Sequence, residues 1–377
     1  MDLKTEILEY LDTHTQEALD LLVELAQIPA PSHHEEKRAV FCKEWLEAQG
    51  AKGVYIDDAL NVIYPIGCTE DNPIMLFAAH SDVVFPDTDP LPLRIEDGKI
   101  YCPGVGDDTA NVVALLMTAK YIAQTGITPV DCGVMLVVNS CEEGLGNMKG
   151  CRKLMDDFGS RIQEFISFDS GVDRYVNEAV GSRRYKVEIT TEGGHSFGAF
   201  GNRNAIAYLA SLIDTLYTIK VPDIGKTTYN VGTISGGTSV NTIAQQAEML
   251  YEYRSNKREA LEIMEEHFQS AIAFYRAKGI DVNVTLLGER PCGSDVDPER
   301  QQALNARCAK AGKDNYGVDV TFHYGSTDCN MPLSMGIPAV CVGCRGGAGV
   351  HTRDEYVLID TLAPGLKVAA QLILYHF

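Results

Sequence analysis

His80-Ser81-Asp82, Asp107-Asp108, Glu142-Glu143, Asp169 and His351 are the stretches of this chain whose residue types could do metal chemistry. Three of them come at or just after the end of a short apolar run. Ile74-Met75-Leu76-Phe77-Ala78-Ala79 leads into His80, Val134-Met135-Leu136-Val137-Val138 closely precedes Glu142, and Phe165-Ile166-Ser167-Phe168 precedes Asp169. Runs of that length read as buried strands of a largely parallel sheet. Ligands bind outside the carboxyl ends of such strands. Two imidazoles and several carboxylates gathered there suit one or two divalent metals, most naturally zinc. The chemistry implied is metal-dependent hydrolysis.

Each group has a local logic. His80 and Asp82 lie at i and i+2, on the same side of an extended segment. In Gly104-Val105-Gly106-Asp107-Asp108 the glycines allow close backbone approach, although an Asp opening a helix is also simply a cap. Of the neighbours Glu142 and Glu143, one can ligate a metal while the other takes a proton from a metal-held water. The glycines of Gly346-Gly347-Ala348-Gly349-Val350 deliver one histidine, His351. Singly, each group also reads as an ordinary loop, turn or cap. Five together, mostly at strand ends, do not.

The elements that must position these residues follow from periodicity. Residues 3–28 carry a helical pattern ending at Pro29 and Pro31, and Ser32 with Glu35 reads as a capping box for the next helix, through Leu46. Strands are expected at 53–66, 74–79, 133–138 and 164–168, with helices at 108–124 and 148–158. Strands alternating with helices indicate an α/β, doubly wound, mostly parallel sheet. Near Gly181 the pattern changes to strand-helix-strand-strand-helix-strand, over 183–191, 204–219, 228–234, 246–254, 257–278 and 281–287. That order is the ferredoxin-like α+β unit. Helix-strand alternation then resumes after Pro291. The expected organisation is a discontinuous metal-binding domain, residues 1–180 and 292–377, interrupted by an inserted domain at 181–291.

A formal net charge of −20 argues against nucleic acid or an anionic membrane as partner, since both are polyanions. No apolar run reaches the roughly 18 residues that span a bilayer. The first residues lack the basic-then-apolar pattern of a secretion signal. Eleven scattered cysteines, an odd number, fit a reducing cytoplasm. Cys341-Val342-Gly343-Cys344 has redox-motif spacing but overlaps an expected strand, which favours buried apolar roles.

Taken together, His-x-Asp, Gly-x-Gly-Asp-Asp, Glu-Glu-Gly, the lone Asp169, Gly193-Gly194-His195 and Gly349-Val350-His351 resemble the co-catalytic zinc metallopeptidases. That family includes peptidase T, glutamate carboxypeptidase, acetylornithine deacetylase and succinyl-diaminopimelate desuccinylase. Gly325-Ser326-Thr327-Asp328 and Gly336-Ile337-Pro338 add a flavour closest to peptidase T. The resemblance implies two Zn2+ per chain, with Co2+ or Mn2+ as substitutes. Asp107 would bridge them, His80 and Asp169 would complete one site, and Glu143 and His351 the other. It also implies Glu142 as general base, Asp82 orienting His80, and a cis Asp107–Asp108 peptide. His195 would stabilise the oxyanion, and Asn241 and Arg254 would contact substrate. The inserted unit would be a lid and the surface of a homodimer. The substrate would be a small peptide, cleaved by an aminopeptidase or dipeptidase, or alternatively an N-acyl amino acid. Thr109 and Cys102-Pro103-Gly104 depart from the family's common residues and bear on subfamily rather than on the metal spheres.

Overall fold

Four apolar segments, Gly133–Asn139, Ile74–His80, Ile162–Phe168 and Ala339–Val342, lie side by side in that order, and each neighbouring pair is parallel. Their carboxyl ends therefore share one edge of the sheet. The structure, a computed structural model, describes residues 2–377, and two compact units can be separated in it. One comprises the residues up to Ala179 together with Ser294–Phe377, the other Val180–Gly293.

Among the described residues the sheet of the first unit has eight strands. Val62–Ile66 and Tyr55–Ile56 extend it antiparallel on one side. Arg174–Ala179 and Thr321–Gly325 complete the other. Period-two alternation divides the central side chains between two cores. Phe77, Ala79, Val134, Leu136 and Val138 pack with residues of the helices Asn111–Thr125 and Leu362–Ile373. Leu76, Ala78, Met135 and Val137 pack with Leu154 of Lys149–Phe158 and Leu333 of Asn330–Ser334. Burial on both faces explains why these strands read as continuous apolar runs. A small antiparallel sheet joins Gly347–Ala348, Tyr356–Leu358, Lys99–Tyr101 and Arg94–Glu96. It brings the chain just before Tyr356 beside the chain just after Tyr101.

The second unit is a four-stranded antiparallel sheet in the order Thr227–Gly236, Gln246–Ser255, Gly181–Thr190, Asp281–Arg290. Its helices are Ala205–Leu216 and Arg258–Ala277. Val187, Ile189, Leu209, Leu212, Met249 and Phe268 form a core of their own. Asn204 caps the first helix, its side chain accepting the N–H groups of Ile206 and Ala207. Strand, helix, strand, strand, helix, strand is the observed order.

Two local expectations are corrected. The pattern over 3–28 is not one helix but two, Thr5–Thr13 and Thr15–Gln27. His14 Nδ1 lies 2.7 Å from the Tyr10 carbonyl oxygen, and the Thr13 hydroxyl donates to Glu9 and Tyr10 carbonyls, so side chains compete for the helical acceptors there. Ser32 is no cap either. The next helix is Glu36–Ala48, with no side-chain cap, because tertiary partners take both capping candidates. The Ser32 hydroxyl donates to Asp82, and Glu35 accepts from Cys141.

Candidate metal centre

The parallel strand ends deliver the ligands. His80 is the last residue of its strand and pairs in register with Asn139, after which Ser140-Cys141 lead to Glu142 and Glu143. Asp169 follows Phe168, which pairs with Val342, and the chain beyond Val342 runs on to His351. Asp107 comes from a tight turn over Val105–Ala110 that opens the buried helix Asn111–Thr125. The Asp107–Asp108 peptide is cis, as the resemblance implied.

Asp107 stands between the two histidines. Its Oδ1 lies 3.1 Å from His80 Nε2, and its Oδ2 lies 3.1 Å from His351 Nε2. His80 Nε2 is also 3.8 Å from Asp169 Oδ1, and His351 Nε2 is 3.1 Å from Glu143 Oε1. Two groups of donors result, each with its ligand atoms within 4.8 Å of one another: His80, Asp107, Asp108 and Asp169, and Asp107, Glu143 and His351. Asp108 fits a different part. Its Oδ2 accepts the His80 N–H at 2.9 Å and its Oδ1 accepts from Asn111 at 2.6 Å, so both oxygens already hold the backbone and the helix start.

The electrostatics describe a buried surplus of negative charge. Burial pushes Asp108, Asp169 and Glu143 up from the ordinary carboxylate range. Hydrogen bonds to Asp107 and Glu143 raise His351 to about 10. Burial disfavours a charged His80, yet the carboxylates around it hold its pKa well above the usual value. Imidazole nitrogens and clustered carboxylate oxygens in two groups sharing one Asp are a donor set for divalent cations.

Asp82 is completely buried and does more than the sequence suggested. His80 Nδ1 lies 3.0 Å from its backbone oxygen and 3.4 Å from its Oδ1. Its carboxylate also accepts the N–H of Glu142 at 2.9 Å, the N–H of Glu143 at 3.0 Å and the Ser32 hydroxyl at 2.6 Å. Burial opposes its ionisation, but these donors and the His80 ring outweigh it and keep the carboxyl below the usual range. Glu142 is thus anchored through its own amide, and its side chain is buried.

Several supporting residues carried no readable sign of the contacts they make. Arg38 is buried and bridges Ile28 O at 2.8 Å, Ser81 O at 2.9 Å and the Thr109 hydroxyl at 3.1 Å, bracing the chain beyond His80. Thr109, a departure from the family pattern, takes part in this brace. Arg345 donates to Gly106 O at 3.0 Å. Asp328 is buried beside Asn139 and is pushed up to about 7 by burial. Only a non-local contact gives any of these a role, so periodicity could not find them. Cys341 and Cys344 are both buried and free, and burial pushes their thiols well up. Cys102 and Cys141 are likewise raised to about 12 by burial, which makes them packing residues rather than nucleophiles.

The remaining candidates belong to the second unit. His195 pairs with Thr242 in a two-residue ribbon, and its Nδ1 accepts the N–H groups of Phe197 and Gly198, both at 3.3 Å. With Nδ1 so engaged, Nε2 carries the proton. Asn241 is exposed, and its carbonyl accepts the Ser196 N–H at 2.9 Å. Arg254 is paired with Glu252 at 3.1 Å. Ser182 stands between Arg254 and Arg290 on the neighbouring strands, and Arg184 lies two residues along. Burial first, and then the charges of Arg290 and Arg254, lower the Arg184 pKa. His14, His267, His323 and His376 lie in neither donor group.

The Peptidase family M20/M25/M40 model matches residues 76–375, a span that contains the carboxyl ends of all four parallel strands. The chain belongs to this family. It is therefore a metallohydrolase of peptide or related amide bonds. An M20 relative, succinyl-diaminopimelate desuccinylase of Corynebacterium glutamicum, is 23% identical over 357 residues, covering 93% of this chain and 94% of that protein. Carboxypeptidase G2 of a Pseudomonas species is 25% identical over 313 residues, covering 80% and 73%. The crystal structure of aminopeptidase PepT from Bacillus cereus shares the fold, with a TM-score of 0.71, 21% identity, and 95% and 98% of the two chains covered. The names of these three proteins point to different activities. Among the described residues no helix is long and apolar enough to cross a membrane.

Proposed function

We propose that this chain is a dinuclear zinc hydrolase of a small peptide, acting as an aminopeptidase or dipeptidase, with His80 and Asp169 on one cation, Glu143 and His351 on the other, and Asp107 between them. The observation that carries the reading is that Asp107 turns one carboxylate oxygen towards each histidine, both at 3.1 Å. Zinc suits the mixed imidazole and carboxylate donors, and Co2+ or Mn2+ would substitute. When bound, such cations polarise the scissile carbonyl and lower the pKa of a water towards about 7. Glu142 takes the water's proton and returns it to the leaving amine. Asp82 fixes the Glu142 and Glu143 amides, so the base and its neighbouring ligand cannot drift apart.

In the inserted unit, a lid in this reading, His195 presents its Nε2–H to the oxygen that gains charge as the carbonyl is attacked. Asn241 and Arg254 contact the substrate, and the guanidinium of Arg254 suits a carboxylate. Phe197, Phe200 and Val240 lie near His195 in sequence or ribbon and are almost wholly exposed, and the edge strand Thr227–Gly236 is exposed along most of its length. Both features favour a homodimer built through this unit. Free cysteines throughout fit the reducing cytoplasm as its compartment.

A second reading, an N-acyl amino acid deacylase, is favoured by the desuccinylase relative, which spans nearly the whole chain. One experiment separates them. Metal-reconstituted wild type and Glu142→Gln are assayed on dipeptides, tripeptides, and N-acetyl and N-succinyl amino acids, with released amine read by mass spectrometry. Zinc-dependent cleavage that the variant loses supports the chemistry, and the preferred substrate chooses between the readings. Wild-type activity on no member, with metal bound, sinks both.

A further inference from the structure

The Glu355 carboxylate is buried against the backbone of the turn that carries Asp107. Its Oε1 accepts the N–H of Gly106 at 2.9 Å and of Asp107 itself at 2.7 Å. Its Oε2 accepts the N–H of Gly104 at 2.8 Å. Three amides of this turn thus converge on one side chain, a nest for an anion supplied by the protein's own chain. The turn is shaped for it. A Cβ on Gly106 would come within 3.0 Å of Glu355 Oε1 and 3.1 Å of the Arg345 guanidinium carbon, so only a bare backbone lets both charged groups lie against it. Gly104 has φ +75°, where a Cβ would meet Val83 at 2.3 Å.

Glu355 also sits four residues after His351, and its own carbonyl accepts the Cys102 N–H at 3.2 Å. The small sheet pairs Tyr356 with Tyr101, which places the two loops side by side. That pairing fixes the strands but not the reach of either loop tip. The carboxylate closes the gap. Through it the His351 loop is tied directly to the amide of the residue that His351 must face across 3.1 Å.

We propose that Glu355 is a positioning residue that sets the separation of Asp107 and His351, and so governs affinity for the cation of the Asp107, Glu143 and His351 group. This rests on the dinuclear reading above. The other group shares Asp107, but its His80 is held by contacts to Asp82 and Asp108 and its Asp169 by an amide on the Val342 carbonyl, none of which involves Glu355. The two cations should therefore respond differently. Loss of Glu355 disturbs Asp107 and His351 together in one group but Asp107 alone in the other, so the cation of the Asp107, Glu143 and His351 group weakens more.

The test is a calorimetric zinc titration of the chelator-treated full chain, with bound metal counted by elemental analysis. Wild type, Glu355→Gln and Glu355→Asp are compared. The Gln variant keeps the size but turns an N–H2 towards amide donors, and the Asp variant keeps the charge but falls short of the turn. The expected result is two zinc ions in wild type, and in both variants one zinc weakened about 10–100-fold with the other weakened markedly less. Activity at limiting zinc should fall and return with excess zinc, with KM unchanged. Should Glu355→Gln fail to fold by circular dichroism, Glu355→Asp and Gly106→Ala carry the same comparison. In the folded variants, two zinc affinities both within twofold of wild type, or two that fall equally, overturn the inference, even if their melting temperatures fall. Fewer than two zinc ions in wild type overturns the dinuclear reading itself, and the inference with it.

Discussion

Replacing Asp82 by Asn removes one charge from the point where three loops meet. The carboxylate is fully buried and accepts from the Glu142 amide at 2.9 Å, the Glu143 amide at 3.0 Å and the Ser32 hydroxyl at 2.6 Å. Asn keeps the volume and one acceptor oxygen. Its amide nitrogen then faces Glu143 N–H and the Ser32 hydroxyl. The hydroxyl can turn and accept, but the N–H cannot, and a buried donor without an acceptor costs about 1–3 kcal/mol. The surviving bonds also drop from charge-assisted to neutral strength, a loss of roughly 1 kcal/mol each. The total is about 2–5 kcal/mol, a substantial part of the 5–15 kcal/mol that is typical for a folded domain, of which about 2 kcal/mol is the lower bound expected here. Urea unfolding of chelator-treated wild type and Asp82→Asn reads this without metal binding, and reports the lost hydrogen bonds together with the lost pairing to the His80 ring. Ser32→Ala should lose less, about 1–2 kcal/mol, since Asp82 keeps both amides. An Asp82→Asn variant within about 0.5 kcal/mol of wild type would refute the claim that this carboxylate ties the loops together.

Other consequences are open to measurement. Zinc at about 100 times its dissociation constant should stabilise the chelator-treated protein by about 2.7 kcal/mol per site, and a melting temperature indifferent to zinc would count against metal binding at these donors. His376 is lowered from 6.5 to about 4, by burial first and then by Arg307, with its Nε2 left unpartnered. A folded pKa below the unfolded one means the unfolded chain takes the proton first, so stability drains away as pH falls from about 6.5 towards 4, by about 3 kcal/mol in full. Paired unfolding curves of wild type and His376→Phe at pH 7 and pH 4.5 should show the wild type losing more, and equal losses would contradict the sign. Ten of the eleven cysteines are buried and Cys68 is intermediate, so a thiol reagent should label no more than one site rapidly in native protein and all eleven in denaturant. Rapid native labelling at Cys141 or Cys102 would show that the segments around the site open readily.

The sequence by itself determined where the first ligands fall. A strand buried on both faces must be apolar throughout, so the first polar residue after the run marks the sheet edge, and His80 and Asp169 are legible for that physical reason. The change of period near Gly181 was legible too, because Tyr185, Val187 and Ile189 alternate where one face of a sheet covers helices. The motif spacings added the remaining ligand candidates through their resemblance to a family. What only the tertiary structure decided is which side chains hold those ligands still. Ser32 and Glu35 have the local pattern of a capping box, yet Asp82 and Cys141, distant in sequence, claim them. Asp108 resembles a helix cap and instead secures the His80 amide. Arg38, Arg345 and Glu355 look like surface charges at helix or loop positions and are buried. A charge is buried only where specific partners from elsewhere in the chain offset its desolvation, and local sequence does not contain those partners.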